Sequence, residues 1–165
     1  MAGAVAARYA LPILSVTAEL NMNTPVKLLA SLLLATPLAF AAAPSATLYK
    51  SPSCGCCGEY VKYLRANGIE VKAVDSNEMD KIKQDNKVGN LGSCHTMLIG
   101  GYVVEGHVPV TAINKLLQQK PKIIGISAPG MPPNSPGMGE MKPGTLKIYQ
   151  ISGNEKDKPK LFSVE

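Results

Sequence analysis

Ala46-Thr-Leu-Tyr-Lys-Ser51, Pro52-Ser-Cys-Gly-Cys-Cys-Gly58, Glu59-Tyr-Val-Lys-Tyr-Leu-Arg-Ala-Asn67 and Ile69-Glu-Val-Lys-Ala-Val74 run almost end to end and decide the fold. The first piece alternates, with Thr47 and Tyr49 on one side and Leu48 and Lys50 on the other, and Pro52 ends it, so it predicts a strand. The third places Tyr60, Val61 and Leu64 on one helical stripe, and Gly68 is a stop signal. The fourth alternates again, with Ile69, Val71 and Ala73 on one face. Strand, cysteine loop, helix and strand make a βαβ unit with its crossover helix.

The pattern continues downstream. Asp75-Ser-Asn77 can cap a second helix over roughly Glu78 to Lys87, with Met79, Ile82 and the stem of Lys83 inward, and Gly89 and Gly92 break it. Cys94-His-Thr-Met-Leu-Ile99, a Gly100-Gly101 turn and Tyr102-Val-Val-Glu105 read as an antiparallel hairpin. Pro109 fits the first turn of a third helix, Val110 to Gln119, with Ile113, Leu116 and Leu117 on its buried side. The order β-α-β-α-β-β-α predicts an α/β, thioredoxin-like fold: a central mixed sheet flanked by helices. In that order the loop after the first strand faces the loop before the third, and these are the two places that carry cysteine. After Pro121, Lys122 to Ile126 is expected as an edge segment and 127–144 as a Pro/Gly/Met loop. Leu146 to Ile151 and Leu161 to Val164 are expected to pair as a late hairpin, so a C-terminal loop and hairpin extend the fold.

Upstream, Met22 to Lys27 is a short basic lead, Leu28 to Ala43 is apolar, and Ala39-Phe-Ala41 is an Ala-x-Ala cleavage signal. Residues 22–41 therefore read as a secretory signal peptide cleaved after Ala41, which predicts a periplasmic protein. The apolar run is short for a membrane span and Pro37 interrupts it, so no stable membrane insertion is expected. Residues 1–21 read as an upstream extension, or as residues preceding a true start at Met22. Residues 42–165 make a single domain with a modest core. The formal net charge of the 165-residue chain is +5. No basic block alternates with aromatics, so nucleic acid is a poor partner.

The chemistry lies in the four cysteines, Cys54, Cys56, Cys57 and Cys94. Cys54 and Cys57 form a Cys-x-x-Cys pair at a helix mouth, where free N–H groups and the helix dipole favour thiolate. Three readings are open. The four can close two structural disulfides. Cys54 and Cys57 can form the catalytic pair of a thiol–disulfide oxidoreductase, though Cys56 has no role in that chemistry. Or all four hold a soft metal, which is the preferred reading. Zinc accepts a Cys3His set; crowded thiolates also suit Cu(I), and bridging sulfurs can hold more than one ion. The spacing lacks the usual runs of an iron–sulfur site. His95 is either a further ligand or a hydrogen-bonding neighbour that orients a cysteine. His107 is expected as a cap or surface residue, with metal ligation the alternative. Met131, Met138 and Met141 line the late loop; their thioethers can bind Cu(I), with packing the favoured role.

Cys54-Gly-Cys-Cys57, Cys94-His-Thr96, Gly106-His-Val-Pro109, Ala128-Pro-Gly-Met131 and Ser135-Pro-Gly-Met138 together resemble the family labelled domain of unknown function 411. These are exported bacterial metal-binding proteins linked to copper resistance, and the resemblance runs from about Thr47 to Met138. It implies a thioredoxin-like fold in the periplasm. It also implies copper held by Cys54, Cys56, Cys57, Cys94 and His95 as a multinuclear thiolate cluster, with a change of copper oxidation state. Other periplasmic copper-handling or electron-transfer proteins are the partners it implies. His95 stands where thioredoxins carry a proline facing the redox pair, which disfavours disulfide exchange and opens a metal role. Asn134 and Gly139 depart from the family pattern at the edge of the late loop. The expected function is a periplasmic copper-binding protein contributing to copper tolerance, with a thiol–disulfide oxidoreductase or a structural zinc-binding protein as alternatives.

Overall fold

Strand β1 (Ser45–Lys50) occupies the middle of the site-bearing half of the sheet because Ala46 and Leu48 bury their side chains there. It pairs in parallel with β2 (Glu70–Asp75) and antiparallel with β3 (His95–Ile99). The computed structural model describes residues 43–165 other than residue 155, so the upstream extension 1–21 and the signal peptide 22–41 lie outside the described residues.

Helix α1 (Gly55–Ala66) makes the crossover between β1 and β2. It buries Cys57, Tyr60, Val61 and Leu64, one stripe at the helical repeat. Its end is set by Asn67, whose side chain donates to the Tyr63 carbonyl at 2.8 Å, and by Gly68 at φ 81°. The helix starts four residues earlier than the Glu59 expected from sequence. Cys54 is therefore its N-cap residue, and Cys56 and Cys57 lie in its first turn. Helix α2 (Met79–Asp85) is shorter than expected and has no fully buried residue; Met79, Ile82 and Lys83 are half-buried. A 3-10 turn, Gly89–Leu91, leads toward β3. Ala73, expected inward, is exposed.

β3 and β4 (Tyr102–Glu105) form the expected antiparallel hairpin, and α3 (Val110–Gln119) follows. β5 (Gly125–Ser127) pairs in parallel with β4, and β6 (Lys147–Ile151) and β7 (Lys160–Val164) continue the same sheet. The order is β2-β1-β3-β4-β5-β6-β7. The segment expected at an edge is thus internal. Gly125 makes that possible: a Cβ there would lie 1.8 Å from the Val103 carbonyl oxygen.

Alternation along the strands gives the sheet two apolar faces. Leu48, Met97, Ile99 and Val104 pack under α1 and α3 with Tyr60, Leu64, Ile113 and Leu116. Val103, Val88, Leu91 and Ile151 form a smaller cluster with Leu98. The result is a mixed sheet flanked by helices with a C-terminal strand extension, a thioredoxin-like arrangement. No helix among the described residues is long and apolar enough to cross a membrane.

Candidate metal centre

The turn after β1 is closed by Cys54 N–H donating to the Ser51 carbonyl at 3.0 Å, which sets Cys54 at the mouth of α1. Cys54 and Cys57, one helical turn apart, are joined as a disulfide, while Cys56 and Cys94 are free thiols. Cys56 Sγ is 3.6 Å from Cys54 Sγ. Cys57 is buried, and its Sγ lies 3.9 Å from the Cys94 carbonyl oxygen. The four sulfurs all lie within 4.8 Å of one another, although Cys94 comes from the loop before β3. Two structural disulfides are not what this arrangement contains.

Two histidines stand behind the sulfurs. Cys94 Sγ is 3.4 Å from His95 Nδ1 and 3.1 Å from His107 Nε2. His107, expected as a cap or surface residue, is fully buried. The reason is the Pro/Gly loop that folds over it: His107 Nδ1 donates to the Pro136 carbonyl at 2.6 Å. Gly137, at φ 78°, allows that approach, since a Cβ there would lie 2.8 Å from the Tyr60 backbone nitrogen. The Tyr60 ring packs on both imidazoles, at 4.6 Å from His95 and 4.9 Å from His107, with its hydroxyl donating to the Val108 carbonyl at 2.7 Å. Cys57, Cys94, His95 and His107 form a second donor set within 4.8 Å that shares two sulfurs with the first. His95 is buried, and its Nε2 has no hydrogen-bond partner among the described residues.

These groups are neutral without a metal. Burial, and next the neighbouring Cys56, push the Cys94 thiol up to about 11. Burial, then His107, then Lys83 hold His95 well below the usual imidazole value, and burial lowers His107. Neutral imidazoles are the form that binds metal, and a metal ion would displace the thiol proton. Soft sulfur and imidazole donors, with an orphaned buried nitrogen among them, fit copper or zinc and do not fit a hard cation.

Glu105 anchors the Cys94 loop. Its fully buried carboxylate accepts from Ser93 N–H at 2.6 Å and from the Thr96 hydroxyl at 2.6 Å, and pairs with the Lys83 ammonium. The inward stem of Lys83 was expected; its partner was not. Ser93 also donates to the Gly130 carbonyl, and Gly130 N–H to the Gly92 carbonyl at 3.0 Å. Met131 is 60% exposed, and Met138 and Met141 are half-buried; Met138 follows two residues after the carbonyl that holds His107. A cavity of about 300 Å³ bordered by Lys87, Leu91, Lys122 and Gln150 contains none of these groups.

Residues 91–138 match the family model described as "Protein of unknown function, DUF411". No curated protein matches the chain. Two solved structures do, both of copper resistance protein copG. The structure called form 2 is 31% identical with a TM-score of 0.65, covering 74% of this chain and 98% of that one. Form 1 is also 31% identical with a TM-score of 0.65, covering 73% and 96%. The matched family segment carries Cys94, His95, His107 and the loop through Pro136. With the thioredoxin-like sheet and a Cys/His cluster able to hold a metal ion, these matches establish that the chain belongs to the DUF411 family and is a homologue of the copper-resistance copG proteins.

Proposed function

We propose that this protein is a periplasmic copper-binding protein that takes Cu(I) into a cluster of cysteine thiolates and so contributes to copper tolerance. One observation carries the reading: four sulfurs from two distant stretches of chain meet within 4.8 Å at the mouth of α1. Thiolate sulfur selects Cu(I) over the harder ions of the cell envelope, and Cys57 and Cys94, shared by two donor sets, are placed to bridge ions. Copper is cargo in this scheme. Cys54, Cys56, Cys57 and Cys94 grip it, and His95 and His107 close the inner side. The sequence pattern of residues 22–41, read as a signal peptide, supports periplasmic placement, where other copper-handling or electron-transfer proteins would deliver or collect the ion.

Metal analysis after anaerobic, reducing purification with copper and zinc supplied together tests this. Copper in excess of one ion per chain is expected, and Cys56→Ser should lower that number. Zinc alone at one per chain would overturn it in favour of a structural zinc site.

The Cys54–Cys57 disulfide at a helix N-terminus favours a second reading, a thiol–disulfide oxidoreductase. That reading requires Cys56→Ser to keep full disulfide-reductase activity and Cys54→Ser to abolish it.

A further inference from the structure

The two donor sets depend differently on the Cys54–Cys57 bond. The four-sulfur set needs both of those sulfurs as thiolates, and a disulfide sulfur has no such charge to offer. With the bond closed, Cys56 and Cys94 are the thiols left. The inner set loses only Cys57, so Cys94, His95 and His107 still lie within 4.8 Å of one another.

Each of these three is poised as a ligand. His107 Nδ1 is committed as donor to the Pro136 carbonyl at 2.6 Å, so its Nε2 carries the lone pair, 3.1 Å from Cys94 Sγ. A metal-binding imidazole is commonly fixed in this way by a carbonyl on its other nitrogen. His95 is sealed in, with Nδ1 3.4 Å from the same sulfur and Nε2 without a partner among the described residues. Hydrogen bonding alone does not settle this trio. The Cys94 thiol can donate to His107 Nε2 and its sulfur can accept from His95 Nδ1–H, but in either tautomer of His95 its Nε2 stays unmet. The Tyr60 ring packs, tilted, against both histidines and limits their rotation. Such effort to order two buried rings around one sulfur is explained by an ion shared among them.

We infer that Cys94, His95 and His107 form an inner site that keeps one copper ion whether the Cys54–Cys57 bond is open or closed, so that this bond sets how many further ions the protein holds. The inference rests on copper being the cargo. Opening the bond takes two electrons and two protons. A partner dithiol supplies them and becomes a disulfide itself. The two thiols released give up their protons to water as they bind Cu(I). One sulfur with two imidazoles suits both copper oxidation states, whereas the outer all-sulfur set selects Cu(I).

The test loads Cu(I) anaerobically into the disulfide form and into phosphine-reduced protein. Copper per chain is then counted, the bond is checked by mass after alkylation, and sulfur and nitrogen neighbours are read by X-ray absorption. One ion with nitrogen neighbours is expected in the disulfide form, and more ions with mainly sulfur neighbours in the reduced form. The double variant Cys54→Ser/Cys57→Ser, which cannot exchange the bond during loading, should match the disulfide form. Adding His107→Gln to it should reduce retained copper at least tenfold. A disulfide form that stays empty, or binds through sulfur only, while the reduced form loads fully would overturn the inner site and leave the thiolate cluster standing. Failure of the reduced form to load would overturn both.

Discussion

At the scale of single residues, Glu105 matters as much as the cysteines it does not touch. It holds the backbone of Ser93, next to Cys94, and its counter-charge is Lys83. Replacing Lys83 with Met leaves that carboxylate buried and uncompensated, and we predict a loss of about 3–5 kcal/mol in urea unfolding of the metal-free protein. Glu105→Gln should cost less, because the lysine ammonium can then turn to solvent while the amide oxygen still accepts from Ser93 N–H and the amide NH2 donates to the Thr96 hydroxyl oxygen. The buried histidines give a pH signature. Both are held neutral in the fold, His95 well below the usual value. On unfolding each regains a value of about 6.5. Below that pH the unfolded chain binds more protons than the folded one, so this part of the stability is whole above about 6.5 and is lost as the pH falls toward the folded values. Thermal melts of metal-free protein should therefore shift down between about pH 7 and pH 5, and less so in His107→Gln. Cys54, Cys56, Cys57, Cys94 and His95 were all legible in the sequence as one cluster. His107 was misjudged because Gly106-His-Val-Pro109 has the look of a helix entry, and what buries it is a loop without periodicity. Glu105 was invisible because its role comes from register, which sets it opposite Thr96.

At the scale of elements, the order of strands and helices was readable from alternation and breakers alone. The start of α1 was not. Gly55 and Gly58 carry no helical signal, yet Cys57 is the first member of the stripe that runs on through Tyr60, Val61 and Leu64. The helix thus begins inside the motif, and that is what brings Cys54 to the N-cap. The late loop was legible only as a loop; its contact with α1 depends on Gly137 at φ 78°. Gly137→Ala strains the backbone and drives a methyl toward the Tyr60 nitrogen. The expected cost is about 1–3 kcal/mol. It should also displace Pro136 from His107, so copper affinity measured by chelator competition should fall more than in a variant equally destabilised at a distant core position such as Ile148→Val.

At the scale of the whole molecule, the C-terminal strands are less of an appendage than composition suggests. Leu146, Ile148 and Ile151 are buried, and β6 covers the open side of β5. Burying three such side chains contributes on the order of 5–9 kcal/mol. That is comparable with the entire stability of a domain of this size. A chain ending at residue 144 should therefore lose its cooperative thermal transition; a sharp melt in that fragment would contradict this. The antiparallel pairing of β1 with β3 has a last consequence. Two anchor points far apart in the polypeptide become neighbours only when those strands zip together. Before that step, the newly made chain has one fist of thiols and nothing to close against it. The donor cluster thus exists only in the folded chain, and it is surrendered with the fold on heating.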